Sequence, residues 1–417
     1  MTDIRTDTLD NGLTVCTQKL TGVRSVGLAW TTPGGTARED NDRLGLASIH
    51  ANLLLRGAGD LSSRAIADAF DRLGVNTGST ALNETTLFSA SLLGDNLDRA
   101  MPLITDCVLR PRFDAEAFEP VRDLALQSIA SLRDDPQERV ILNLRDAHVA
   151  PPHNRSSYGT PEGIGAITRD DVLGAHKAWC VPGGSILTVA GDVDHDAFLR
   201  TIEPLIAGWT GSAQSVEKIS DGARGVTHEA QATDQTHIGV CYDGPDALDD
   251  DVWLERVATS VLSGGMSSRL FTEVREKRSL VYSVSARFVA DKHYGRATAY
   301  AGTTPERAQE TIEVLLQELE RIRTPEGAVT QEELKRALTG IKSRLVFSGE
   351  SSGARARSLA ADIRVYNEPR TLEQKAAQYD RVTLDRLNGY LTRSDLGTIT
   401  VASVGKDALK TPEGLAS

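Results

Sequence analysis

Apolar positions along this chain follow two different periods, and the alternation between them predicts a mixed architecture. Short apolar runs mark strands at 12–17 and 25–31. A helix is predicted over 44–55. A second follows over 62–73, where Ile66, Ala69, Phe70 and Leu73 fall at i, i+3, i+4 and i+7, the spacing of one buried helical face. Strands recur at 79–82 and 86–92. A long helix spans 116–132 and is interrupted at Asp134-Asp135-Pro136, because proline disfavours the α conformation in the residue before it. Helix resumes over 138–147.

One sub-pattern occurs twice. Ile167-Thr168-Arg169-Asp170-Asp171-Val172-Leu173 precedes the apolar run Ile186-Leu187-Thr188-Val189-Ala190-Gly191. Val382-Thr383-Leu384-Asp385-Arg386-Leu387 precedes Thr398-Ile399-Thr400-Val401-Ala402-Ser403. Each reads as a helix start capped by threonine, Thr168 or Thr383, and then a buried strand. Both elements recur in order at a nearly constant offset of roughly two hundred residues, which points to two related α+β halves. The polar segment 210–225, rich in Gly and Ser, has linker chemistry. It divides the chain into an N-terminal domain, 1–212, a linker, 213–225, and a C-terminal domain, 226–417.

Composition narrows the function classes. With 417 residues, 40% apolar and 25% charged, the chain is an ordinary globular sequence. Its net charge of −12 argues against a nucleic-acid partner, which demands a concentrated basic face. Cys16, Cys107, Cys180 and Cys241 are scattered, with no CxxC pair, as in reduced thiols of a cytoplasm-like compartment. The first residues, Met-Thr-Asp-Ile-Arg, lack the apolar stretch of a signal peptide. No apolar run is long enough to span a bilayer, so no membrane partner is expected.

Candidate chemistry begins at Gly45-Leu46-Ala47-Ser48-Ile49-His50-Ala51-Asn52-Leu53-Leu54-Leu55-Arg56-Gly57. Upstream lie Asn11-Gly12-Leu13-Thr14-Val15 and Gly34-Gly35-Thr36-Ala37-Arg38-Glu39. In this order the segments resemble the N-terminal region of the M16 family, the group that contains the mitochondrial processing peptidases and pitrilysin. Active members carry HxxEH on a helix: two histidines at i and i+4 reach one zinc, and the glutamate between them is general base for the zinc-bound water. A glutamate from a later helix completes the site. Alignment on Gly45-Leu46-Ala47 and Arg56-Gly57 puts Ser48 and Asn52 at the histidine positions and Ala51 at the base. Ser128, before Ile129 and upstream of Asp134-Asp135-Pro136, stands for the distant glutamate. The resemblance therefore implies a chain that binds no zinc and is inactive by itself. His50 does not repair the motif, since it lies about 200° around the helix from Ser48. His148 and His153 are separated by Pro151-Pro152, which breaks any helical ligand pair.

The second half retains more. Leu262-Ser263-Gly264-Gly265-Met266-Ser267-Ser268-Arg269-Leu270-Phe271 leads to Val274-Arg275-Glu276-Lys277-Arg278-Ser279-Leu280-Val281-Tyr282. This is similar to the C-terminal signature of the same family, where an arginine and a tyrosine seven residues apart reach the substrate near the zinc. Arg275 and Tyr282 match the pair. A guanidinium offers fixed donors to a peptide carbonyl or carboxylate, and a phenol can donate to an oxygen gaining charge. Structural roles are the alternative: Tyr282 packed into a strand, and Arg275 paired with Glu276.

The resemblance runs from Asn11 to about Gly405. It implies an α+β fold of two similar halves, each a β-sheet flanked by helices, as in the processing peptidases. It also implies a partner: an HxxEH-bearing M16 subunit that holds the zinc while this chain contributes Arg275 and Tyr282 to a peptide substrate. An isolated sample could pair with itself. Two other readings stay open, a structural scaffold of M16 fold and an enzyme with a relocated site.

Overall fold

The computed structural model describes residues 3–410. They form two compact units, each built on one sheet. The first unit comprises the chain up to Ser131 together with Arg155–Glu217 and Phe347–Thr371. The second comprises Leu132–Asn154, Lys218–Val346 and the chain from Leu372 on.

The first sheet has six strands in the order Asp3–Thr8, Thr14–Lys19, Ile186–Gly191, Ser25–Pro33, Thr85–Leu93, Asn76–Ala81. Thr14–Lys19 and Ile186–Gly191 run parallel, and the other neighbours run antiparallel. The second sheet has five strands in the order Gly225–Ala230, Thr400–Gly405, Thr236–Gly244, Tyr294–Thr303, Val281–Asp291. Here Gly225–Ala230 and Thr400–Gly405 are the parallel pair. Apart from the outer strand Asp3–Thr8, the two sheets share one strand order and one pattern of directions. The repeat seen in the sequence is thus a repeat of topology. Both threonine caps form: Thr168 Oγ1 accepts from Asp171 N at 3.2 Å, and Thr383 Oγ1 from Arg386 N at 3.3 Å. Each capped helix leads to a strand buried at every position, Ile186–Gly191 or Thr400–Gly405. Burial on both faces explains why these strands read as continuous apolar runs rather than as alternations.

Each sheet is covered on both sides. In the first, Val15, Leu28, Trp30, Phe88 and Val189 pack on Ile66, Phe70, Ile104 and Phe198 of the flanking helices. On the opposite face Cys16, Ala29, Ile186 and Ala190 meet Ala356, Leu359, Ala360 and Ile363, all from helix Ser352–Tyr366. In the second sheet, Ile238, Val240, Ala299 and Val401 face Val257, Val261, Ile312 and Leu315. Cys241, Tyr300, Ala402 and Val404 on the other face meet Val140 and Leu144 of helix Pro136–His148.

These two covering helices correct the linear division of the chain. The change of unit between Glu217 and Lys218 falls inside the segment read as linker. The units are nevertheless not 1–212 and 226–417, because 132–154 belongs to the second and 347–371 to the first. The physical reason is the apolar stripe on each helix, which finds its sheet in the other linear half. Polar contacts hold these helices too. Arg355, 1% exposed, donates twice to Gln18 Oε1, at 2.9 and 2.7 Å. Buried His148 bonds Thr400 Oγ1 at 2.8 Å and Asp243 Oδ1 at 3.1 Å.

The remaining differences are local. The helix expected over 116–132 is Ala115–Ser131, followed by a single 3-10 turn at Leu132–Asp134. Asp135, rather than a bare break, starts the next helix by accepting from Glu138 N at 3.0 Å. Among the described residues no helix is long and apolar enough to cross a membrane.

Candidate functional site

Ser48, Ala51 and Asn52 sit on helix Leu46–Leu53 in the first unit. Glu39 fixes its start: the Oε1 atom accepts from Gly45 N at 3.1 Å and Ala47 N at 2.8 Å, taking up donors that a helix leaves unsatisfied. Ile49, Ala51 and Leu53 are buried, Ser48 is half-buried and Asn52 is exposed. The helix packs on Ala115–Ser131, which carries Ser128 on its exposed side.

These residues do not fit a zinc ion. A tetrahedral site needs imidazole, thiolate or carboxylate donors. Here the donor set is two hydroxyls, one amide and a methyl group. The polar groups are also turned onto carbonyls: Ser48 Oγ donates to Ser157 O at 2.5 Å, Asn52 Nδ2 to Ser48 O at 2.9 Å, and Ser128 Oγ to Leu124 O at 2.8 Å. Among the described residues no cluster of three or more His, Cys, Asp or Glu side chains is arranged to hold a metal.

His50 is packed inside. It is 1% exposed and ringed by Phe113, His176 and Trp179. Its Nε2 lies 3.1 Å from His176 Nδ1, and His176 Nε2 lies 3.4 Å from Leu109 O. A carbonyl only accepts, so His176 carries its proton on Nε2 and its Nδ1 accepts from His50 Nε2. That leaves His50 Nδ1 as a buried acceptor with no partner. Burial first, and the neighbouring His176 second, lower its pKa to about 3. A neutral imidazole in an aromatic wall is a packing residue.

The retained pair belongs to the second unit. Arg275 lies on the π-helical turn Phe271–Glu276. Its guanidinium stands 5.0 Å from the centre of the Phe271 ring and makes no ion pair or side-chain hydrogen bond among the described residues. Glu276 does not take it. The nearby Glu273 is engaged by Lys277 and Arg278, at 2.7 and 2.9 Å. After the turn, Ser279 adopts φ +52°, and Ser279 N and Leu280 N donate to Arg275 O and Val274 O, each at 3.0 Å. This tight return feeds strand Val281–Asp291.

Tyr282 is the second residue of that strand, and the ladder is irregular there. Val281 faces Thr303 and Ser283 faces the next residue, Gly302, so Tyr282 is the extra residue of a bulge. A bulge re-aims a side chain out of the regular alternation. Tyr282 is 62% exposed and its hydroxyl has no partner among the described residues. The packing role open to Tyr282 in the sequence is therefore not the one it has.

The rest of the signature is framework. Arg269, 8% exposed, forms a two-pronged pair with Glu333 at 2.7 and 2.9 Å and donates to Gly327 O at 2.6 Å. Burial raises the Glu333 pKa, but Arg269 and the Thr330 cap outweigh it and leave it at about 2. Helix Val252–Ser263 ends at Gly264, and the Gly264-Gly265 loop borders an open cleft of about 220 Å³ with Glu333 and Arg336 on its far side. The bulge and the π turn were not foreseen, since neither has a compositional mark.

Two adjacent family profiles cover most of the chain. "Insulinase (Peptidase family M16)" matches residues 14–160, and "Peptidase M16 inactive domain" matches 166–341. The chain belongs to the M16 peptidase family. Among its M16 relatives, a Mycobacterium tuberculosis protein described as an uncharacterized zinc protease is 28% identical over 396 residues, 92% of this chain and 89% of its own. A Bacillus subtilis protein of the same description is 24% identical over 390 residues, 93% and 94% of the two chains. The crystal structure of an M16 inactive domain from Pseudomonas fluorescens superposes with a TM-score of 0.88 at 22% identity, covering 98% of this chain and 99% of that one. A protease from Helicobacter pylori gives 0.85 at 19%, covering 97% and 100%. These two likenesses carry the fold.

Proposed function

We propose that this M16 chain is the non-catalytic, substrate-binding subunit of a two-chain zinc peptidase. Its partner is an M16 subunit bearing HxxEH, which holds the zinc that Ser48, Ala51, Asn52 and Ser128 cannot hold. Arg275 and Tyr282 bind and polarise a peptide at that partner's site. One observation carries the reading: both side chains are exposed and make no ion pair or hydrogen bond among the described residues, while Arg269, Glu273, Lys277, Arg278 and Glu333 around them are paired. An arginine and a phenol kept out of internal bonds are free to donate to a carbonyl.

Support for the compartment comes from the cysteines. All four are free, and burial raises the pKa of each. Inert, unpaired thiols suit a reducing cytoplasm.

The test is co-purification from the native cell, followed by reconstitution with the recovered partner. The reading requires an HxxEH-bearing chain in the complex and a peptidase rate that drops at least tenfold with Arg275→Ala. Recovery of this protein alone or with membrane-complex subunits, or an unchanged rate, would reject it.

A further inference from the structure

Strand Tyr294–Thr303 places Ala297, Ala299 and Ala301 in the apolar core. By the period of two, Tyr294, Arg296, Thr298 and Tyr300 share the opposite face. On the neighbouring strand Val284, Ala286 and Phe288 pack into the core, so Arg287 lies on that opposite face too. The register confirms it: Arg287 is directly across from Thr298, and Val289 from Arg296. Helix Pro136–His148 covers this side of the sheet over strands Thr236–Gly244 and Thr400–Gly405. Toward the edge strand the face stays open, and Arg287 and Val289 are exposed there.

Three arginines on or beside this face have no carboxylate partner among the described residues. Arg296 lies over the Tyr294 ring at 4.4 Å and makes no ion pair or hydrogen bond among the described residues, and its Nε is buried and unpartnered. Arg145, from the covering helix, donates through Nε to Asn154 O at 2.9 Å, while one of its terminal nitrogens is buried and unpartnered. Arg287 is exposed and unpaired among the described residues. The carboxylate directly across from Arg296 is Asp243, but both of its oxygens are taken, one by Arg224 at 2.6 Å and one by His148 at 3.1 Å. Burial lowers the pKa of both Arg145 and Arg296, and the charge of Arg296 adds to the lowering at Arg145. In a chain of net charge −12, leaving cations half-buried and mutually repelling is costly unless something anionic sits between them.

We propose that the open face carrying Arg145, Arg287 and Arg296 binds an acidic segment of an extended peptide. This names a substrate class for the reading above, on which it rests: Tyr282 stands at the start of the strand that carries Arg287. Aspartate or glutamate side chains at every second position of an extended peptide match the period of the sheet face. A guanidinium pairs a carboxylate through two parallel bonds, and Tyr294 holds the Arg296 guanidinium 4.4 Å from its ring centre.

The experiment uses the full chain and fluorescein-labelled dodecapeptides with Glu, Gln or Lys at alternate positions, followed by anisotropy at low and high salt. The Glu peptide is expected to bind about tenfold more tightly than the Gln peptide, with the preference shrinking as salt rises. Arg287→Gln, an exposed change, should reduce the preference, and Arg287→Gln with Arg296→Gln should abolish it while the Gln peptide binds as before. Equal binding of the Glu, Gln and Lys peptides, or a preference that survives the double change in a protein of unaltered melting temperature, overturns the proposal. The two readings fail separately. A charge preference intact in Arg275→Ala, with no peptidase partner recovered, sinks the subunit role alone. Loss of all peptide binding in Arg275→Ala without any charge preference in the parent sinks the acidic-peptide site alone.

Discussion

A β-carbon placed on Gly27 would lie 2.2 Å from the backbone nitrogen of Gly353. Strand Ser25–Pro33 and the first turn of helix Ser352–Tyr366 thus touch backbone to backbone, an approach that only glycine permits. Ser25 and Ser352 flank the contact with hydroxyls 3.2 Å apart, and Thr188 Oγ1 donates to Ala356 O at 2.7 Å. Gly27→Ala should force the helix off its sheet and cost about 3 kcal/mol, the upper range for overpacking. Urea unfolding gives the number, and an unchanged midpoint would contradict the contact.

His50 makes stability sensitive to acid. Burial and His176 lower its pKa to about 3, against about 6.5 in an unfolded chain. The folded state therefore binds fewer protons. Its advantage is complete above pH 6.5 and declines as pH falls toward 3. Replacing His50 by Phe should flatten the melting temperature between pH 6.5 and 4, whatever it does to the absolute value. A slope identical to that of the parent would mean that His50 is not the group responsible.

Glu39 works in the opposite sense. Burial raises its pKa to about 7, although Ala47 N, Gly45 N and Arg155 pull the other way. A raised carboxyl contributes stability that is full below its unfolded pKa, about 4.5, and is lost as pH rises through 7. Glu39→Gln keeps the carbonyl that accepts from Gly45 and Ala47 but cannot ionise. The variant should gain on the parent above pH 7 and show no gain near pH 5, as read by thermal melts across that range.

Two arginines six residues apart in the same signature should behave very differently. Arg275→Ala and Tyr282→Phe remove exposed, uncommitted groups and should shift folding stability by under about 0.5 kcal/mol. Arg269→Ala strands Glu333 beside buried carbonyls and should cost about 3 kcal/mol or more. Comparing the three in one denaturation series separates substrate chemistry from framework. A large loss in Arg275→Ala would reassign it to the framework.

Metal should not matter to this chain alone. With hydroxyls, an amide and a methyl at the zinc positions, a chelator is expected to leave the melting temperature unchanged, and micromolar zinc should not raise it. A rise of several degrees with stoichiometric zinc would reveal a ligand set elsewhere.

Much of this was legible in the residues. The short continuous apolar runs gave the central strands, the threonine caps marked equivalent helices, and the lost and kept motifs singled out Ser48, Asn52, Arg275 and Tyr282. What escaped had physical causes. Segment exchange is a long-range choice, and nothing local in Val140 and Leu144 says that their sheet lies in the other linear half. The bulge at Tyr282 comes from pairing with Thr303 and Gly302, residues far along the chain. Strand Tyr294–Thr303 was not among the elements read from the sequence, although Tyr294, Arg296 and Thr298 alternate there with Ala297 and Ala299. Its missing carboxylates became apparent only once Asp243 was seen to be engaged by Arg224 and His148.

The helix that covers the first sheet also sets a timetable. As the chain leaves the ribosome, strands Thr14–Lys19, Ser25–Pro33 and Ile186–Gly191 are made first, but Ala356, Leu359 and Ile363, which cover one of their faces, follow the last of these strands by about 160 residues. Until then that apolar face is bare, and a nascent chain stalled before residue 352 should attract chaperones that a chain stalled after 371 does not.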